Sequence, residues 1–267
     1  MSEQLMVHGD SVEWTRAQPA GSFDVIATDV PYGVPMQHKG VTAWHLDDNL
    51  ETSDTKAVVE ASCHEWARVL GETGVVYAMC GDLIYAEMQG WMHDAGFKTR
   101  PWVWCKTNPR ALIGPWRIGV ELGLFGYRRL PPKAVEGAGI NYHVGPTVGG
   151  GARVRHPETD DTHPTQKPVA MVEEWLRRTP GRVLDPFAGS GSMLEAARTL
   201  DLDAVGVERS REFFEIACHR LSQPVSPVAP EGGAPAPEAG PSERVAQRPG
   251  PVLARDRMAI ARSVVGS

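Results

Sequence analysis

The 267-residue chain has only four cysteines, Cys63, Cys80, Cys105 and Cys218, and no two of them stand as C-x-x-C. That spacing argues against a zinc knuckle or a disulfide framework, and reduced thiols with no bound metal are expected. No run approaches the ~18 apolar residues that a membrane helix needs. Residues 1–10 carry Glu3 and His8 without the apolar core of a signal peptide, so the expected location is cytoplasmic, with no membrane partner. The chain also lacks an excess of positive charge. Its 27 Lys plus Arg face 33 Asp plus Glu, a net charge of −6, which excludes a protein that coats nucleic acid through bulk charge.

What is present is the composition of a globular protein, 42% hydrophobic and 22% charged, long enough to bury a core unaided. The exception is residues 223–267. Between Gln223 and Pro251 there are eight prolines, mixed with Ala, Gly and Glu. Such a stretch buries too little apolar surface to offset its ordering entropy, so a disordered tail is expected there, with one short helix near residues 252–264. Residues 1–222 are then the folded domain. Within them, charge is uneven. Residues 98–157 hold ten basic and two acidic residues, and the segments on either side are acidic.

Apolar periodicity predicts alternating elements: strands at 23–28, 74–79, 99–105, 121–127, 182–184 and 204–208, and helices at 54–70, 83–95, 169–178 and 192–200, with a last helix after 208 running to about 221. Strands alternating with helices of this length imply an α/β fold with a largely parallel sheet. Trp102 and Trp104 alternate along one strand, a pattern of core packing, although they and Trp116 could also stack on nucleic-acid bases. Cys63 and Cys105 are read as core.

The strongest local feature is Arg182–Ser192, R-V-L-D-P-F-A-G-S-G-S. A short aliphatic strand ends in a turn with two glycines, and a helix opens at Ser192. Gly189 and Gly191 let a ligand approach the backbone, and the helix start offers unpaired N–H groups. Glu208 closes the next strand, where an acidic residue serves ribose hydroxyls. The turn lacks the Gly-Lys-Ser/Thr of a phosphate-binding loop, and Leu194 stands where a dinucleotide fingerprint wants a third glycine. An adenosine ligand without a pyrophosphate, such as S-adenosylmethionine, remains, and a purely structural turn is the plain alternative. The second feature, Asp29-Val30-Pro31-Tyr32-Gly33, follows an apolar strand, at the end where open α/β sheets place active sites. A simple β-turn is its bland reading.

Together these segments resemble a family. Asp29–Tyr32 is similar to the D-P-P-Y motif of amino-methyltransferases that modify exocyclic nitrogens in DNA. Asp185–Ser192 is similar to their D-P-F-x-G-S-G-T cofactor motif, and His163–Pro168 resembles the H-P-T-Q-K-P segment just upstream of it. The catalytic motif precedes the cofactor motif, the order of the β group; glutamine methyltransferases with N-P-P-Y have the reverse order. The resemblance covers about residues 5–222. It implies an α/β, doubly wound, Rossmann-like methyltransferase fold with a mainly parallel, seven-stranded type of sheet, a circularly permuted motif order and a small recognition insert at residues 128–161.

The same resemblance implies S-adenosylmethionine as cofactor, double-stranded DNA as substrate, and adenine N6 as the methylated atom, since Asp rather than Ser stands at position 29. Cytosine N4 methylation, and a binding protein with an impaired active site, are the rival readings. No Pro-Cys dipeptide occurs, so nothing suggests carbon-5 cytosine chemistry. The implied catalytic residues are Asp29 and Val30, which accept hydrogen bonds from the target amine, Pro31, which fixes the turn, and Tyr32, which stacks on the flipped base. Val30 replaces the usual proline and adds an N–H that needs a partner. The implied cofactor residues are Asp10, His163, Thr165, Gln166, Lys167, Asp185, Pro186, Phe187, Gly189, Ser190, Gly191, Ser192 and Glu208. Arg110, Arg128, Arg129, Lys133, Arg153 and Arg155 are the expected DNA contacts, in a short basic insert suited to phosphates more than to base edges. A homodimer and a cognate restriction nuclease are the further partners the resemblance admits.

Overall fold

A computed structural model describes residues 2–31, 35–38, 41–44, 52–109, 112–113, 115–130 and 139–225. Tyr32, Arg110, Lys133 and most of the expected disordered tail, from residue 226, lie outside the described residues. In chain order the elements are β1 (Gln4–His8), α1 (Ser11–Arg16), β2 (Phe23–Asp29), the hairpin β3 (Pro35–His38) and β4 (Val41–Trp44), α2 (Thr52–Val69), β5 (Leu70–Met79), α3 (Tyr85–Asp94) and β6 (Lys98–Lys106). The small hairpin β7 (Leu112–Ile113) and β8 (Trp116–Arg117), β9 (Val120–Tyr127), β10 (Tyr142–Gly145), α4 (Val169–Arg178), β11 (Val183–Asp185), α5 (Ser192–Thr199), β12 (Ala204–Glu208) and α6 (Arg211–Ser222) complete them.

Eight of these strands form one sheet in the order β1-β12-β11-β2-β5-β9-β6-β10. Every neighbouring pair is parallel except those of β9, which runs antiparallel to both β5 and β6. The expected seven-stranded arrangement is therefore present, with β10 added beside β6 as an eighth strand. Two apolar cores cover the two faces, as a doubly wound sheet requires. On one face Val59, Cys63 and Trp66 of α2 and Met88 and Met92 of α3 pack on Ile26, Val76 and Leu124. On the other, Trp175 and Leu176 of α4 and Leu194 of α5 pack on Val25, Tyr77 and Trp102.

Trp102 meets Trp175 edge to face at 5.0 Å, and the Trp104 indole N–H donates to the Gly145 carbonyl. Both are core residues. Trp116, by contrast, is 75% exposed. Cys63 is fully buried and Cys105 half-buried. Among the described residues no helix is long and apolar enough to cross a membrane.

The permuted order has a structural consequence. From β11 the chain winds outwards to β12, whereas from β2 it winds the other way to β5. The switch point lies between β11 and β2, where open α/β sheets bind ligands beyond the carboxyl ends of the strands.

Candidate active site

Asp29 ends β2 and Asp185 ends β11, one on each side of the switch point. The strands are tied across it by the Thr28 hydroxyl, which donates to Asp185 Oδ1 at 2.7 Å. The same oxygen accepts the Phe187 N–H at 3.2 Å and so shapes the turn after β11. Burial pushes the Asp185 carboxyl up to about 8, helped by the negative charges of Asp29 and Glu208, against those two hydrogen bonds.

The turn continues through Gly189 and Gly191, at φ +50° and +76°, a region that favours glycine. A side chain at Gly189 would begin 3.0 Å from His163 Nε2, and one at Gly191 would begin 3.1 Å from the Ala217 side chain. Glu208 locks the turn to the end of β12: one carboxylate oxygen accepts the Gly189 N–H at 2.7 Å and the other accepts the Ser210 N–H at 2.8 Å. Arg220 of α6 holds the turn from beneath, donating to the Ser190 carbonyl at 3.0 Å and the Ser192 hydroxyl at 2.8 Å. Burial lowers its pKa to about 10, which leaves it cationic at neutral pH. Beside Glu208, Gly9 donates to the Glu208 carbonyl, and Asp10 caps α1 by accepting the Glu13 N–H. The strand ends thus gather Asp10, Asp185, Pro186, Phe187, the glycine turn and Glu208 at one place.

The catalytic strand brings a different set. The Val30 N–H, which a proline would not have, donates to the Met79 carbonyl at 3.0 Å, and the Val30 side chain is buried in the core. The substitution therefore leaves no orphan donor. Lys167 reaches Asp29 from the segment before α4, its Nζ 2.5 Å from Asp29 Oδ2 and 2.9 Å from Glu121 Oε1. The lysine is 4% exposed. Burial disfavours its charge, yet the two carboxylates facing it raise its pKa above the ordinary lysine value.

The neighbours of Lys167 are placed differently. His163 packs on Phe213 with ring centroids 4.3 Å apart. Gln166 is buried and accepts the Val154 N–H, which ties the basic segment to this one. Thr165 is exposed, and its N–H donates to His163 Nδ1.

The basic residues divide. The Val154–Gln166 bond ties the segment of Arg153 and Arg155 to the one that carries Lys167; Arg153 donates to the Val148 carbonyl, and Arg155 pairs with Asp160 at 2.7 Å. Arg128 and Arg129 are carried by antiparallel β9 to the amino ends of the parallel strands. There Arg128 donates to the Leu70 and Gly71 carbonyls, and Arg129 pairs with Glu72 at 3.3 Å. The fold does not bring these two together with Asp29. Sequence reasoning gave no role to Glu121 or Arg220, since an isolated charge in a strand or helix carries no signal of its distant partner.

A switch point with an aspartate on each side, on a sheet whose one reversed strand is β9, is the Rossmann-like fold of solved DNA methyltransferases. A family model described as DNA methylase, for N6 and N4 methyltransferases, matches residues 136–219. The chain is 26% identical to the DNA adenine methyltransferase YhdJ of Escherichia coli K12 over 252 residues, covering 82% of each chain. In structure it is similar to the cytosine-N4-specific PvuII DNA methyltransferase (16% identity, TM-score 0.65, 84% of this chain and 88% of that one). It is also similar to TTHA0409 of Thermus thermophilus, a putative DNA modification methylase complexed with S-adenosyl-L-methionine (25% identity, TM-score 0.56, 84% and 96%). The chain is thus similar to DNA amino-methyltransferases, through the family model over residues 136–219 and through YhdJ over most of its length.

Proposed function

We propose that the chain transfers the methyl group of S-adenosylmethionine to the N6 amine of an adenine flipped out of duplex DNA. The observation that carries this reading is the Asp29 carboxylate, at the end of β2 beside the switch point, held by a buried lysine. The adenine-specific naming of YhdJ supports adenine over cytosine. Catalysis belongs to residues 1–222, with 128–161 as the target-recognition insert and 223–267 as a tail.

The cleft fits S-adenosylmethionine, a ligand with an ammonium and a sulfonium: the buried Asp185 carboxyl supplies a counter-charge, and the side-chain-free turn at Gly189 and Gly191 admits the ligand to the backbone. Asp185, Pro186, Phe187, the 189–192 turn, His163, Glu208 and Asp10 would hold it. When bound, it supplies an electrophilic methyl group. The chain must make the amine a nucleophile, because an adenine amino lone pair is delocalised into the ring. Asp29 and the Val30 carbonyl each accept one amine N–H, which draws the nitrogen towards tetrahedral geometry and aims its lone pair. Tyr32 stacks on the flipped base.

The test is transfer of tritiated methyl from S-adenosylmethionine to duplex DNA. Label that co-purifies with the DNA after heat and protease treatment is the expected result; label absent from DNA sinks the proposal.

Two further results are expected. Asp185 titrates near 8, and a cation beside it favours the ionised form. S-adenosylmethionine affinity should therefore rise with pH up to about 8, with proton release on binding below that value. Without ligand the sign is opposite: stability present below the ordinary aspartate value is lost as pH rises to about 8. Calorimetry in buffers of different ionisation heat detects the released proton, and in Asp185→Asn both pH dependences should vanish.

For DNA, the double variant Arg153→Ala, Arg155→Ala should bind duplexes more weakly at every sequence. The slope of log affinity against log salt should fall by about 1–2. An unchanged slope removes these arginines from the interface.

A further inference from the structure

Glu121 stands at the start of β9, in the half of the sheet that carries no cofactor motif, and its two oxygens separate two lysines. Oε1 lies 2.9 Å from Lys167 Nζ, and Oε2 lies 2.7 Å from Lys106 Nζ. Lys167 in turn meets Asp29. The side chains of Lys106, Glu121, Lys167 and Asp29 are 16%, 12%, 4% and 18% exposed, so water screens this row poorly. Its charges alternate and sum to zero, with Asp29 at the end beside the switch point.

We propose that Glu121 is a positioning residue for methyl transfer, acting through Lys167 to set how strongly Asp29 accepts a hydrogen bond from the target amine. The inference rests on the reading of Asp29 as the amine acceptor. An ammonium bound to one carboxylate alone would draw that carboxylate's electron density towards itself. Lys167 instead divides its protons between Asp29 and Glu121, so the lysine orients Asp29 without blunting it. Lys106, stacked 5.0 Å over the Trp104 ring, holds the far side of Glu121 and keeps it aimed at Lys167. With Glu121 made neutral, two ammonium groups would stand against one carboxylate. Asp29 would remain ionised to lower pH and bind the amine more weakly.

Among the described residues, the groups whose charge bears on Asp29 include Asp185 across the switch point and Cys80 after β5. Burial keeps the Cys80 thiol protonated, and Asp185 is unchanged by a substitution at 121.

The test compares Glu121→Gln and Glu121→Asp with the unaltered protein. In Glu121→Gln, kcat should fall about tenfold, with the Kd for S-adenosylmethionine and the KM for DNA changed less than twofold. The acid limb of the kcat profile should move to lower pH, and Glu121→Asp should restore most of the rate. Carbon-13 NMR of labelled aspartates should show the Asp29 titration moved to lower pH in Glu121→Gln. An unmoved Asp29 titration, or kcat, KM and Kd worsening together with an unshifted acid limb, would leave Glu121 a structural tie and overturn the proposal. The NMR readout needs no turnover. An unaltered protein that transfers no methyl to DNA therefore contradicts the functional reading separately from the coupling.

Discussion

Asp29→Ala should lower methyl transfer to DNA by about 10³-fold while S-adenosylmethionine still binds. The size follows from what the carboxylate does. It accepts a hydrogen bond that strengthens as the amine becomes tetrahedral, so its loss appears in kcat more than in binding. The fold should tolerate the change. Lys167, which loses Asp29, keeps Glu121 at 2.9 Å, so no buried ammonium is left alone. Asp29→Asn, which keeps the shape, should lose nearly as much, because an amide oxygen is the weaker acceptor. Single-turnover transfer with calorimetric cofactor binding separates the two effects. A rate within tenfold of the unaltered protein would remove Asp29 from the chemistry.

Lys167→Met has the largest expected effect on stability. The ammonium is 4% exposed and stands between two carboxylates, Asp29 and Glu121. Methionine keeps the volume but leaves the carboxylates opposed and poorly hydrated. Removing one partner of a buried charge cluster costs about 3–5 kcal/mol. For a domain of this size each kcal/mol lowers the melting temperature by about 2–4 °C, so a fall of roughly 6–20 °C is expected. Adding Glu121→Gln to Lys167→Met should recover part of that loss, since one of the stranded charges is gone. A melting temperature within about 2 °C of the unaltered protein would show that the cluster is solvated and weak.

Much of the architecture was legible from period and punctuation. Residues 169–178 and 204–208 became α4 and β12 with the predicted bounds, because each is a clean apolar pattern ended by polar residues. β1 was not legible. Gln4–His8 is five residues long and partly exposed, and it is a strand because each residue pairs with one of 204–208. β10 was hidden likewise, four residues in a glycine-rich insert that take strand form only against β6.

The site divides the same way. Local chemistry marked Asp29, Asp185, the glycine turn and Glu208, since each sits at a strand end with its turn. Partnership across the sheet left no such mark. Lys167 lies 138 residues from Asp29, and its neighbours in the sequence pointed to the cofactor instead. Charge counting placed Arg128 and Arg129 with the DNA contacts, but it cannot tell that reversed β9 delivers them to the amino ends of the parallel strands. The net charge of −6 misleads in the same way, since charge acts where the fold puts it.

The most direct measurement is the identity of the methylated nucleoside. Duplex DNA incubated with the protein and S-adenosylmethionine, digested and analysed by mass spectrometry, should yield N6-methyldeoxyadenosine from the unaltered protein and about 10³-fold less from Asp29→Ala in the same time. N4-methyldeoxycytidine in its place, or no methylated nucleoside at all, would contradict the assignment of an adenine amine to Asp29 and the Val30 carbonyl.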